Sequence, residues 1–202
     1  MMNDKSKTQA PIVAVLWPPR GIAVADVIRA MALVALGIAL LALSAKTNVP
    51  LPLVPMTLQT LVVLVIGAAY GWRLGVATVV GYLAVGAAGL AVFAGPTGGL
   101  APLFGATAGF LFGFVVAAFI TGWLGERGWD RSIIHMFVAM TIGHVVILAM
   151  GLVWLAYGRQ LGLEKAWTVG VGPFLAGAVA KTLLGALLVP GLRAVADRRQ
   201  KP

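Results

Sequence analysis

The chain has 202 residues, of which 60% are hydrophobic and 10% charged, with 26 glycines and a formal net charge of +9. Soluble domains carry roughly 25% charged residues, so this composition excludes an ordinary water-soluble fold and points to a membrane protein. The positive charge lies between and beyond oily segments rather than on one face, which excludes nucleic acid as a partner; no cysteine, two histidines and six acidic residues leave thiol, disulfide and metal chemistry poorly supplied.

A membrane span needs ~20 mostly apolar residues, with Pro, Gly and charge marking the joins. Residues 1–21 read as a polar cytoplasmic arm ending in "WPPRG". The first span is "VADVIRAMALVALGIALLALSA", about 24–45; its apolar stretch is longer than the ~7–15 residues of a signal-peptide core. The second, "TLQTLVVLVIGAAYG", 57–71, is short and follows "NVPLPLVP". The third runs from 74 to 95, the fourth from about 100 to 124, the fifth from about 133 to 157 and the sixth from about 170 to 192. The expected fold is therefore an all-α integral membrane protein of six transmembrane helices with both termini on one side. The domain plan is an arm, a membrane domain over 22–194 and a basic cytoplasmic tail over 195–202.

Charge orients this plan. With the N-terminus inside, the inner segments hold Lys5, Lys7, Arg20, Arg29, Arg73, Arg127, Arg131, Arg193, Arg198, Arg199 and Lys201, whereas the outer joins hold Lys46, Arg159 and Lys165. The positive-inside rule makes the termini cytoplasmic. The inner joins "YGWRLG" and "GERGWDRS" are brief and charged; the outer joins "KTNVPLPLVPMT", "FAGPTGGLAP" and "WTVGVGPF" are rich in Pro and Gly. Irregular backbone at membrane depth survives only where it lines a cavity, so three such joins either simply turn the chain or line a pocket open to the exterior. No repeat and no G-x-x-x-x-G-K-[ST] sequence is present, so no ATP hydrolysis is expected of this chain alone.

Lys181 stands midway along the sixth span in "PFLAGAVAKTLLGALLVPG". It is too far from either end to snorkel easily, and an intramembrane charge marks a functional site. An outward pocket with one cation favours a small organic anion. Thr57, Gln59 and Thr60 sit at the mouth of the second helix, Thr57 also serving as a possible N-cap. His144, alone on an apolar helix, is a core histidine or a ligand contact; Tyr82, Phe93, Phe110 and Trp154 line a pocket or pack. Trp72, Trp123, Trp129 and Trp167 read as interface anchors. Ala32, Ala35, Ala39 and Ala42 form a small-residue stripe that admits a close helix, internal or from a partner.

The blocks "PLVPMTLQTLVVLVIGAAYGWRLGVATVVGYLAVGAAGLAVFAG", "GGLAPLFGATAGFLFGFVVAAFITGWL", "GHVVILAMGLVWLA" and "PFLAGAVAKTLLGALL" resemble the biotin-binding membrane subunits called BioY, over about residues 22–192. These are the substrate-specific components of energy-coupling-factor transporters. The resemblance implies a compact six-helix bundle in the bacterial inner membrane that captures biotin from outside. Its implied partners are a transmembrane coupling protein of the EcfT type and a pair of cytoplasmic ATPases, with surrounding membrane lipid and no cofactor. It also implies that Lys181 meets the biotin carboxylate and that "VPMTLQT", Tyr82 and "GATAGF" lie near the pocket. The alanine stripe would then dock on the coupling protein. Amides, hydroxyls or backbone N–H groups such as those of Thr57, Gln59 and Thr107 would take the ureido ring. There are three departures from the pattern: Ala178 where members often have Asp, Phe110 and Ala108 in "GATAGF" where they often read G-P-T-G-G-Y, and Asn48 as the only asparagine near the outer side. Two other readings rest on the same residues: a self-sufficient proton-coupled transporter using Lys181 or His144, and an intramembrane enzyme, disfavoured for lack of a nucleophile and partner.

Overall fold

The computed structural model describes residues 9–96 and 98–199. Helix α1 is the short Ile12–Leu16, and α2 spans Ala23–Lys46. The Asp26 carboxylate closes the start of α2 by accepting the Arg20 and Gly21 N–H groups at 2.7 and 3.1 Å. Asn48 Nδ2 closes its other end on the Ala45 and Lys46 carbonyls. Two-residue strands β1 (Asn48–Val49) and β2 (Met56–Thr57) pair antiparallel and lead into α3, Gln59–Ala87.

Helix α3 is two arms, because Gly71 has φ 79° and ψ 168°, a conformation essentially closed to residues with a Cβ. Twenty-three residues of straight helix would separate Gln59 from Tyr82 by about 35 Å. Yet Gln59 Nε2 donates to the Tyr82 hydroxyl at 2.7 Å. The chain reverses at Gly71 and the arms run back past each other, with Gly75 against the Gly67 backbone. The small residues permit that approach.

Helices α4 (Ala101–Phe104), α5 (Ala108–Gly125), α6 (Ile133–Val153), α7 (Leu163–Gly170) and α8 (Leu175–Arg198) complete the bundle, with a π turn over Trp154–Gly158. Among the described residues five helices are long and apolar enough to cross a membrane, the fifth counted over Leu163–Arg198. The chain is thus an all-α, multi-pass membrane protein, its core built around Leu64, Tyr82, Met136, Met140 and Ile147.

Several sequence boundaries are corrected. The third span ends at Ala87 rather than 95, because Gly89 at φ 108° turns the chain out of the helix. The fourth breaks at Gly105 to Thr107 into α4 and α5, and the segment read as an irregular join after the fifth span contains α7. Helix α8 continues to Arg198, so 195–198 are helical rather than tail; 200–202 and 1–8 lie outside the described residues. The described part of the arm is docked, with Ile12 and Val15 buried and Gln9 N–H donating to the Glu126 carbonyl. The alanine stripe faces outward at Ala32, Ala35 and Ala39, half-buried at Ala42, while Leu33, Gly37 and Leu41 face α3. Internal packing therefore does not explain it.

Candidate functional site

At the end of the bundle opposite the arm, a narrow pocket with about 60 Å³ of free space opens between α3, α5, α6 and α8. Its walls are mainly apolar, with Phe93, Phe110, Phe114, Ile147 and Phe174 among them. Phe110 stacks on Phe174 with centroids 5.9 Å apart. Lys181 is the one charged side chain in the lining among the described residues.

Four interrupted segments build this pocket. Val54, Pro55 and Thr57 come from the join before α3, Phe93 and Ala94 from the 88–100 loop, and Thr107 and Phe174 from helix starts. Lys46 Nζ donates at 2.8 Å to both the Phe93 and Gly95 carbonyls, tying the 88–100 loop to the end of α2. From below, the Tyr82 hydroxyl donates to Val92 O at 3.0 Å. Both satisfy carbonyls of irregular backbone that would otherwise be costly near hydrocarbon.

Lys181 Nζ donates to Thr57 O at 2.7 Å and to Thr60 Oγ1 at 3.3 Å. No carboxylate lines the pocket among the described residues, and Ala178 one turn earlier brings none. The ammonium is therefore held by neutral acceptors, with room for an anion above it. Gln59 is buried, its Oε1 accepting from Thr57 Oγ1 at 3.2 Å and its Nε2 committed to Tyr82. Thr107 Oγ1 donates to Pro102 O at 3.0 Å, a bond that pins the start of α5.

Of the residues singled out from sequence, Lys181, Thr57, Gln59, Thr60, Phe93, Thr107 and Phe110 come together in the lining. Three do not. Tyr82 is fully buried behind Gln59 and Phe93, edge-on to the latter at 5.4 Å. Trp154 points to a lateral groove and donates Nε1–H to Gly105 O at 2.8 Å. His144 lies behind Thr60, its Nε2 3.2 Å from Thr60 Oγ1, its Nδ1 3.2 Å from Met140 O and 2.9 Å from Thr182 Oγ1. Two hydroxyls and one carbonyl thus surround the two ring nitrogens. His144 thus supports the hydroxyl on which Lys181 rests. Asn48 is spent on capping α2, away from the pocket. Phe114, Ile147 and Leu148 line the pocket without having been singled out, since an apolar residue on an all-apolar helix carries no mark of the face it occupies.

A profile of the BioY family matches residues 9–198. The biotin transporter BioY of Rhizobium etli is 40% identical over 142 residues, covering 67% of this chain and 75% of that protein. The probable biotin transporter BioY of Pyrococcus horikoshii is 36% identical over 163 residues, covering 81% and 95%. A crystal structure of the S-component for biotin from an ECF-type ABC transporter has the same fold, with a TM-score of 0.74 at 22% identity, covering 83% of this chain and 92% of that one.

Proposed function

The chain belongs to the BioY family, and on that premise we propose that it is a biotin transporter whose binding site is the Lys181 pocket. It acts as the substrate-specific component of an ECF-type ABC transporter in the bacterial inner membrane, and it performs no covalent chemistry of its own. The observation that carries this reading is a lone ammonium in an otherwise uncharged, aromatic-lined pocket, held by neutral oxygens. Biotin supplies the missing counter-ion as its carboxylate. Its ureido N–H groups donate to the rim hydroxyl oxygens of Thr57 and Thr107, whose own hydrogens are already committed, beside Gln59, and its fused rings lie against Phe93, Phe110 and Phe174.

The two arms of α3 supply two crossings, giving six in all, with both termini cytoplasmic and the pocket facing outward. The distribution of arginines and the docking of the arm beside Arg193 support that orientation. The outward alanine face of α2 at Ala32, Ala35, Ala39 and Ala42 receives the coupling protein, which joins the chain to a pair of cytoplasmic ATPases.

Equilibrium binding of labelled biotin to the purified chain, repeated with Lys181→Ala, tests the reading. Loss of a charge-assisted hydrogen bond costs about 1.5–3 kcal/mol, so the variant should bind roughly 10- to 150-fold more weakly. Absence of binding by the unaltered chain rejects biotin as ligand; equal binding by the variant rejects the role of Lys181.

A further inference from the structure

The arm end of the bundle divides into two electrostatically different halves. Beside α8, Arg193 lies 3.2 Å from Asp130 and 3.1 Å from Asp197, and Arg131 lies 3.4 Å from Asp197. Beside α3 and α5, Arg29, Arg73 and Arg127 have no ion-pair partner among the described residues. These three line one open recess of about 840 Å³, together with Trp72, Trp123 and Glu126. Glu126, the one carboxylate there, accepts the Trp72 N–H at 3.2 Å and forms no ion pair with the arginines. The recess therefore holds three cations against one anion.

The cations are also posed. The Arg73 guanidinium lies 5.1 Å above the Trp72 ring and that of Arg127 3.4 Å above Trp123. Stacking occupies the flat face of a guanidinium and leaves its N–H edge for a bidentate acceptor such as phosphate. Arg127 uses one N–H on Trp123 O, and Arg73 makes no side-chain hydrogen bond among the described residues. Arg29 is largely spent on the Trp17 and Val13 carbonyls, where it holds the arm and adds charge at the back of the recess. The other wall is apolar: Phe119 and Trp123 are exposed at 42% and 41% and so face the bilayer. Basic pockets between membrane helices at the headgroup level are the sites that take anionic lipid heads.

We infer that this recess binds an anionic phospholipid, with Arg73 and Arg127 gripping the headgroup phosphate and Trp72, Phe119 and Trp123 lying along its acyl chains. The aromatic wall distinguishes a lipid from a free phosphate ion, which has nothing to place there. The site is on the opposite end of the bundle from the Lys181 pocket and does not depend on what that pocket binds.

The test uses the full chain, stripped of lipid in a neutral detergent and titrated with dioctanoyl phosphatidylglycerol, dioctanoyl phosphatidylcholine or inorganic phosphate. Bound lipid is counted by native mass spectrometry and thermal stability is recorded alongside. Phosphatidylglycerol should bind at least tenfold more tightly than phosphatidylcholine and raise the unfolding temperature. The Arg73→Gln, Arg127→Gln pair should lose that preference while keeping biotin binding. Equal binding of the two lipids by the unaltered chain overturns the inference without recourse to any variant. So does stabilisation by inorganic phosphate equal to that by phosphatidylglycerol, which would make the site one for a free anion. If the paired variant keeps its lipid preference but no longer copurifies with the coupling protein, the recess is a protein contact and the inference fails.

Discussion

Substituting Gly71 by Ala perturbs the reversal of α3 in two separable ways. The φ and ψ values of Gly71 lie where an L residue is strained by about 1–3 kcal/mol. A Cβ there also meets the Glu126 carboxylate and approaches Pro11 Cγ to 2.7 Å, and overpacking costs about 1–3 kcal/mol. Together these remove about 2–6 kcal/mol, and at ~2–4 °C per kcal/mol for a chain of this size the unfolding temperature falls by about 4–24 °C. Two other glycines separate the contributions. Gly162 has nearly the same backbone, φ 74° and ψ 158°, but nothing within 4 Å of an added Cβ, so Gly162→Ala reports strain alone. Gly122 is an ordinary helical residue whose Cβ would come within 2.6 Å of Trp72 Cα, so Gly122→Ala reports an unstrained backbone clash at the same seam. Thermal unfolding in detergent, followed by the fraction recovered on size-exclusion chromatography, should rank Gly71→Ala below Gly162→Ala. A Gly71→Ala protein within about 1 kcal/mol of the parent, or no worse than Gly162→Ala, refutes the reasoning.

Tyr82→Phe leaves Gln59 Nε2 and Val92 O without their partner, costing about 1–3 kcal/mol in thermal or denaturant unfolding; an unchanged midpoint contradicts the bond network. Lys46→Met frees the 88–100 loop from two carbonyl contacts and should speed biotin dissociation about two- to tenfold in a chase experiment. Dissociation at the parent rate would show that this tie does not restrain the ligand. Burial lifts the Asp130 carboxyl above its ordinary value of 3.8, against the pull of Arg193. A carboxyl whose folded value exceeds its unfolded one contributes stability that is fully present below about pH 3.8 and declines as pH rises through the raised value. Compared with Asp130→Asn, the parent should therefore lose relative stability as pH rises above about 3.8, and a relative gain would reverse the sign of the argument.

What the sequence revealed depended on contrast. Lys181 was legible because an ammonium has no bland reason to stand in mid-span, and the Pro-Gly joins because they interrupt long apolar runs. The positions of Val54, Pro55, Phe93 and Phe174 in the pocket follow from those interruptions. That His144 and Trp154 stand off the pocket lining was illegible for the opposite reason. Helix α6 is apolar on every side, so its sequence contains no phase that separates the face toward the pocket from the face toward α8 or lipid. Helix α7 was hidden by its polarity, since "LEKAW" reads as a join when only apolar runs are sought; Gly162 before it and Glu164 in its first turn were the available start signals. The 88–95 segment looked helical by hydropathy, and only the positive φ at Gly89 shows that it turns across the pocket.

The first arm of α3, residues 59–70, rises about 18 Å at 1.5 Å per residue. A hydrocarbon layer is about 30 Å thick, so an arm that begins its count at Gly71 near the arginine level gives out well short of the far surface. The shortfall is the depth of the Lys181 pocket. Thr57, Gln59 and the Pro-rich join before them are drawn down to fill it, so that, on the proposed function, a ligand seated on Lys181 would lie sunk within the thickness of the bilayer. Chain length between one glycine and one glutamine would then set how far the cargo has already travelled at the moment it is bound.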